Sequence, residues 1–167
     1  MCLPTSLSAA KQHINELTTR SRRIWWIRSR RYKRLGKIDP GLPSASFIRA
    51  TEDLSRRQTS ILIQLRTGHI PLNKHLHRIK RSEHPNCTNC PQIAEDVDHF
   101  LFRCYKHATN RHALTLAFKR RAFCTRHLLS NKRAIRHTLN YVNATGRFSH
   151  IVGDISAEII RDDNKHD

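Results

Sequence analysis

The sequence is short of acid, of glycine and of long apolar runs. Only 13 of its 167 residues are Asp or Glu, against 31 Lys or Arg, a formal charge of +18. The carboxylates are scattered, and no pair is placed to hold a catalytic divalent metal, which argues against a nuclease or a metal-dependent hydrolase. Hydrophobic residues make up 38% and glycines number 5, a lean composition that suits one modest domain or two small lobes. No stretch approaches the length of a membrane span. The opening Met1-Cys2-Leu3-Pro4-Thr5-Ser6-Leu7 has no basic start and no sustained apolar run, so a secretory signal is not expected. The five cysteines are an odd number and three of them cluster, which disfavours a disulfide framework and fits a reducing intracellular compartment, with Cys2 and Cys124 as spare thiols. On that reading the Asn143-Ala144-Thr145 sequon is a chance match. There is no internal repeat and little strand signal, so the fold class expected is mainly α.

What the sequence does have is a concentrated set of soft ligands. Residues 87 to 104 read Cys87-x2-Cys90-x8-His99-x4-Cys104. Two intervening residues let one tight turn aim the sulfurs of Cys87 and Cys90 at a single point. His99 and Cys104 lie a little over one helical turn apart, so both can converge from a helix and its end. Three thiolates and an imidazole make a closed tetrahedral shell of the kind that holds structural zinc, whereas a catalytic site would more often leave one position open for water. The competing reading is of reduced cysteines in a small core with His99 on a helix face. Glu95 and Asp98 are close enough to accept from the His99 ring or to serve as helix N-terminal charges.

The second feature is charge. From Arg20 to Lys37 there are nine basic residues (Arg20, Arg22, Arg23, Arg28, Arg30, Arg31, Lys33, Arg34 and Lys37) and no acid, with Trp25, Trp26 and Tyr32 interleaved. Basic side chains neutralise phosphates and release counterions, and aromatic faces stack on unpaired bases. Nucleic acid, RNA or DNA gripped mostly through phosphates, is therefore the leading partner class, ahead of an anionic membrane surface. Because Trp25 and Trp26 point about 100° apart on a helix, at least one of them is expected in the core.

Taken in order, residues 1–37 form a basic helical arm, with Ser8 as a candidate cap and one helix over 8–34. The prolines and glycine of Asp39-Pro40-Gly41-Leu42-Pro43 mark a linker. Residues 44–150 form a helical zinc-binding module with its metal site at 85–107. In it, Leu54, Ile61, Leu62 and Leu65 make one apolar stripe stopped by Gly68, and Leu72, Leu76 and Ile79 make a second. Arg78, Lys80 and Arg81 are further candidates for phosphate contact, with Arg103 beside them. His69, His75 and His77 lack partners at ligand spacing and read as polar helix positions, while His107 and His112 flank the cluster as possible substitutes. Tyr105, Leu114, Phe118, Phe123 and Leu128 are candidate core in a helix or broken pair over 105–129. Ile135, Leu139 and Val142 are periodic in a helix near 131–142. Residues 151–167 carry five acids and read as a disordered acidic tail.

Several of these residues also carry a resemblance. Gln64-Leu65-Arg66-Thr67-Gly68-His69-Ile70-Pro71-Leu72-Asn73, then Leu76-His77-Arg78-Ile79, then the Cys/Cys/His/Cys cluster ending His99-Phe100-Leu101-Phe102-Arg103-Cys104, resemble the C-terminal zinc-binding region of fungal-type non-LTR retrotransposon polyproteins. Ser29-Arg30-Arg31-Tyr32 and Ile38-Asp39-Pro40 fit the connecting region of that family, and the resemblance spans roughly residues 25 to 153. In the family this segment follows a reverse transcriptase and, commonly, an RNase H domain. The resemblance implies that Cys87, Cys90, His99 and Cys104 ligate zinc. It implies work alongside element RNA or target DNA, hence in the nucleus, and it admits a reverse transcriptase core as partner. It does not imply polymerase or RNase H chemistry, because the Tyr-x-Asp-Asp turn and the converging carboxylates are missing; the only Asp-Asp pair, Asp162-Asp163, follows Ile160-Arg161 in the charged tail. The chain then reads as a short detached end of such a polyprotein, not an enzyme. The alternatives are a structural or protein-docking segment, or a degenerate remnant with no independent activity.

Overall fold

The computed structural model describes residues 6–41 and 45–159, and the chain divides into two units, Met1–Ser44 and Ala45–Asp167. It is mainly helical; among the described residues there is no strand, only a single antiparallel bridge between Asn86 and Ala94. None of the described helices is long and apolar enough to cross a membrane.

The first unit is built on α1 (Leu7–Arg28), followed by the short α2 (Tyr32–Leu35). Ser6, not Ser8, caps α1: its hydroxyl accepts from the Ala9 amide at 3.2 Å. The single helix expected over 8–34 breaks at Ser29, whose backbone is extended. The tertiary contacts of Trp26 explain the break. Its indole N–H donates to the Asp39 carbonyl at 3.2 Å, and its ring meets Tyr32 edge-on at 5.9 Å, so the chain must fold back beside α1. Gly36 makes the return possible, since a β-carbon there would lie 2.6 Å from the Tyr32 carbonyl and 2.9 Å from its ring. The expectation of one core tryptophan holds for Trp26, which is 8% exposed, while Trp25 is 78% exposed.

The second unit opens with α3 (Ala45–Thr51) and α4 (Arg56–Thr67). A reciprocal capping box starts α4, with Ser55 and Gln58 each bonding the other's backbone amide. Gly68 ends it in a left-handed conformation that favours glycine. Then come α5 (Asn73–Arg78), the ligand loop, a π-helical turn at His99–Arg103, a 3-10 turn at Tyr105–His107 and α6 (Ala108–Phe118). A second 3-10 turn at Lys119–Phe123 leads to α7 (Thr125–Ser130), α8 (Lys132–Thr145) and α9 (Ser149–Val152). The helix beginning near Pro71 therefore starts two residues later, and of its stripe Leu72 is buried while Ile79 is exposed.

The core of this unit forms around α8, against which α6 and α7 pack. Ile135, Leu139 and Val142 are buried as their spacing predicts, each such side chain contributing roughly 1.5–3 kcal/mol. Phe100 is the aromatic centre, with the rings of His107, Tyr141 and Phe148 at 5.3, 5.5 and 5.4 Å. Leu114 and Leu128 are core as expected, but Tyr105 and Phe123 are exposed, because the two 3-10 turns rotate them off the buried face. Arg66, part of the run that carries the resemblance, is a structural residue. It donates to the Leu129 carbonyl and the Ser130 hydroxyl, its guanidinium lies 4.1 Å above Phe47, and burial pushes its pKa down to about 10.

Where the expected disordered tail is described, it is bound rather than free. Gly153 turns the chain with a positive φ, and the segment that follows lies along α4 and α8. Gln58 Nε2 donates to the Ser156 carbonyl at 2.6 Å. The Asn140 amide brackets Ala157, accepting from its N–H at 2.7 Å and donating to its carbonyl at 2.9 Å, and Asn143 accepts from the Ile155 N–H at 3.1 Å. Ile155 is 2% exposed. The acidic composition masked one apolar anchor and a set of backbone groups with ready partners. The remaining tail, residues 160–167, lies outside the described residues. Replacing Ile155 with Ala is expected to lower unfolding free energy by roughly 2–4 kcal/mol in urea titrations, whereas a free tail would leave the urea midpoint unchanged.

Candidate metal centre

Each ligand is placed by a separate local device. The Asn86–Ala94 bridge closes the base of a loop, with the Glu95 amide donating to the Pro85 carbonyl and the Cys87 amide to the Ile93 carbonyl, both at 2.8 Å. Within it, the Cys90 amide turns back to the Cys87 carbonyl at 3.3 Å, which sets the two sulfurs on one side, and Gln92 takes a left-handed conformation to finish the turn. Asp96 begins the next element: its side chain accepts from the His99 amide at 2.8 Å.

The x4 spacing is resolved by the π-turn. On a regular α-helix five residues rotate through about 500°, so His99 and Cys104 would diverge by about 140°. Here the Cys104 amide donates to the His99 carbonyl at 2.8 Å, an i to i+5 bond that widens the turn and returns both side chains to one side. The carbonyls this turn leaves over are taken by buried donors from α6 and α8. Tyr141 donates its phenol to the Phe100 carbonyl at 2.5 Å, and burial pushes that phenol up to about 12, keeping it a neutral donor. Arg111 donates through Nε to the Leu101 carbonyl at 2.7 Å and through Nη2 to the Cys104 carbonyl at 2.8 Å.

The outcome is that Cys87, Cys90, His99 and Cys104 are all buried, with donor atoms within 4.8 Å of one another. The Cys104 sulfur lies 3.9 Å from each of the other two sulfurs. That is nearly twice a disulfide bond of about 2.05 Å. It matches the edge of about 3.8 Å of a tetrahedron whose sulfurs sit about 2.3 Å from a central ion. His99 is 0% exposed, yet neither ring nitrogen has a hydrogen-bond partner. Burial lowers the His99 pKa, assisted by the positive Arg103, so the ring is neutral, the form in which imidazole binds metals. Burial, with Cys87 and Cys90 alongside, pushes the Cys104 thiol up to about 11. A bound cation reverses that preference and draws off the proton. The four side chains thus fit a tetrahedral metal ion, and among the described residues they are the one group that does.

Neither Glu95 nor Asp98 accepts from the His99 ring, although Asp98 does stand at the start of the helical turn that carries it. Glu95 forms a two-pronged pair with Arg147 at 2.9 and 2.8 Å and accepts from the Asn73 amide at 2.7 Å. Asp98 accepts from the Thr125 hydroxyl at 3.4 Å. Asp96, which sequence reasoning passed over, is the residue that orients the start of the ligand helix, and Lys74 holds its other oxygen at 2.8 Å. His107 packs against Phe100 and Tyr141, and His112 is exposed, so neither joins the ligands. His69 and His75 contact each other at 5.3 Å, away from the ligand set.

The basic candidates fall in both units. Arg22, Arg23, Arg28, Arg30, Arg31, Lys33 and Arg34 are exposed in the first, and Arg78, Lys80 and Arg81 are exposed in the second, where Arg78 reaches His75 at 2.8 Å. Comparison of the chain with protein-family models, curated proteins and solved structures gives no match.

Replacing Arg111 with Met, which preserves bulk and removes its bonds to the Leu101 and Cys104 carbonyls, is expected to weaken metal affinity about tenfold in chelator competition while leaving the ligand set unchanged, as other outer-sphere substitutions do.

Proposed function

We propose that this chain is a zinc-stabilised nucleic-acid-binding module without catalytic residues of its own, related to the C-terminal region of non-LTR retrotransposon polyproteins. The observation that carries the metal half of the reading is His99, fully buried, with both ring nitrogens unpartnered beside three convergent sulfurs. Zinc suits this donor set, because three thiolates and an imidazole in a tetrahedron favour a borderline-soft ion with no geometric demand of its own. Four protein ligands close the shell, which favours a role in holding the fold over activation of water. Purified protein is expected to contain one zinc per chain by elemental analysis and to lose helical circular dichroism on chelation. Helix that survives chelation unchanged would reduce the cluster to a remnant.

Nucleic acid as partner is supported by the first unit. Its arginines are exposed, and residues 20–37 contain no acid to neutralise them. Such a surface binds chiefly phosphates, with a steep dependence on salt and little sequence preference. The resemblance would place this binding at element RNA or target DNA in the nucleus. Exchanging Arg22, Arg23, Arg30 and Arg31 together for Ala is expected to abolish binding at moderate salt, measured by fluorescence polarisation of labelled oligonucleotides; unchanged binding would sink the reading. A second reading, docking on a larger protein such as a polymerase core, draws on the exposed Leu7, Ile14, Leu17 and Ile24 of α1.

A further inference from the structure

We propose that Trp25 is a stacking platform for an unpaired base, which makes the basic first unit selective for single-stranded over duplex nucleic acid; this rests on the phosphate-binding reading above. The two adjacent tryptophans have opposite fates. Trp26 is fixed in the fold by its bond to Asp39 and its contact with Tyr32. Trp25, one residue earlier, turns about 100° away and stands 78% exposed. A lone exposed aromatic is ordinary. Its surroundings make it a site. Trp25 lines an open, mostly apolar groove of about 510 Å³ together with Thr18, Ser21, Arg22, Trp26, Ser29 and Arg31. Ser29 already accepts from the Tyr32 amide at 3.2 Å, so its hydroxyl proton is available to a phosphate or sugar oxygen.

An indole face offers a nucleobase dispersion and π contact whatever the base, and the guanidinium groups of Arg22 and Arg31 meet the phosphates on either side. In a duplex both faces of a base are covered by its neighbours, so the platform acts only on unpaired strands. The arginines alone bind either form. A lipid headgroup surface can also accept an indole; the acid-free run of nine basic residues around Trp25 favours a polyanionic strand, and titration against vesicles separates the two.

The test compares the full-length zinc-loaded wild type with Trp25→Ala and Trp25→Phe, titrated at one fixed salt concentration against a short labelled single-stranded oligonucleotide, the duplex of the same sequence, and vesicles containing phosphatidylserine. Trp25 is exposed, so both variants should keep the wild-type circular dichroism. Trp25→Ala is expected to weaken single-strand binding about tenfold and leave duplex binding unchanged, with most of the loss recovered in Trp25→Phe. Equal loss on both nucleic acids, or no loss on either, overturns the platform while leaving the phosphate-binding reading intact. Wild type that binds neither nucleic acid overturns both, and a Trp25-dependent association seen only with the vesicles assigns the ring to a lipid surface instead.

Discussion

A buried imidazole with nothing of the protein to bond to is the constraint on which the second unit depends. Polar groups removed from water cost free energy unless they find a partner. His99 has none, and the three thiol groups beside it have only one another, the Cys104 sulfur lying 3.9 Å from each of the other two. A metal ion would satisfy all four at once, and its binding energy would then be available to folding. The surrounding interactions lock that arrangement in place. Asp96 starts the ligand helix, Arg111 and Tyr141 take the carbonyls of the π-turn, and the Glu95–Arg147 pair ties the ligand loop to the chain beyond α8. Arg111, Tyr141 and Arg147 connect the centre to α6, α8 and the chain beyond α8, so the site shares its supports with the packing around Phe100.

The arginines divide into two populations that share a residue type and little else. Arg66, Arg111, Arg136 and Arg147 work inward, bonding backbone carbonyls or buried carboxylates, or bridging to Asp53 at 3.2 Å in the case of Arg136. Their planar, multi-donor heads suit them to satisfying several carbonyl or carboxylate oxygens from one position, which a lysine ammonium does less well. Those of residues 20–34 face solvent. The large formal charge therefore overstates the surface available to a polyanion by these inward arginines, and the acid-free run is its densest exposed part.

The convergence of Cys87, Cys90, His99 and Cys104 was legible because they lie within eighteen residues of one another and local turns decide where they point. The helical class and the core positions of α8 followed from periodicity, since that helix buries one face against its neighbours. What escaped reading was whatever depends on distant residues. Nothing local separates Arg111 from Arg22. The offset between Trp25 and Trp26 requires that one be core but does not say which, because the choice depends on Asp39 and Tyr32. Glu95 sits beside the ligands in sequence, yet its partner is fifty-two residues away. The stretch after Gly153 reads as tail by composition, while its attachment comes from Asn140 and Gln58.

The π-turn bears on how such sites can be found. A π-turn is an α-turn carrying one additional residue. Deleting that residue between His99 and Cys104 would yield a His-x3-Cys pair on an ordinary helix, with both side chains still on one face. Two chains that differ by this insertion could build the same four-cornered shell while disagreeing in ligand spacing. A search pattern with a fixed gap would then separate kin, and one allowing three or four residues at that position would keep them together.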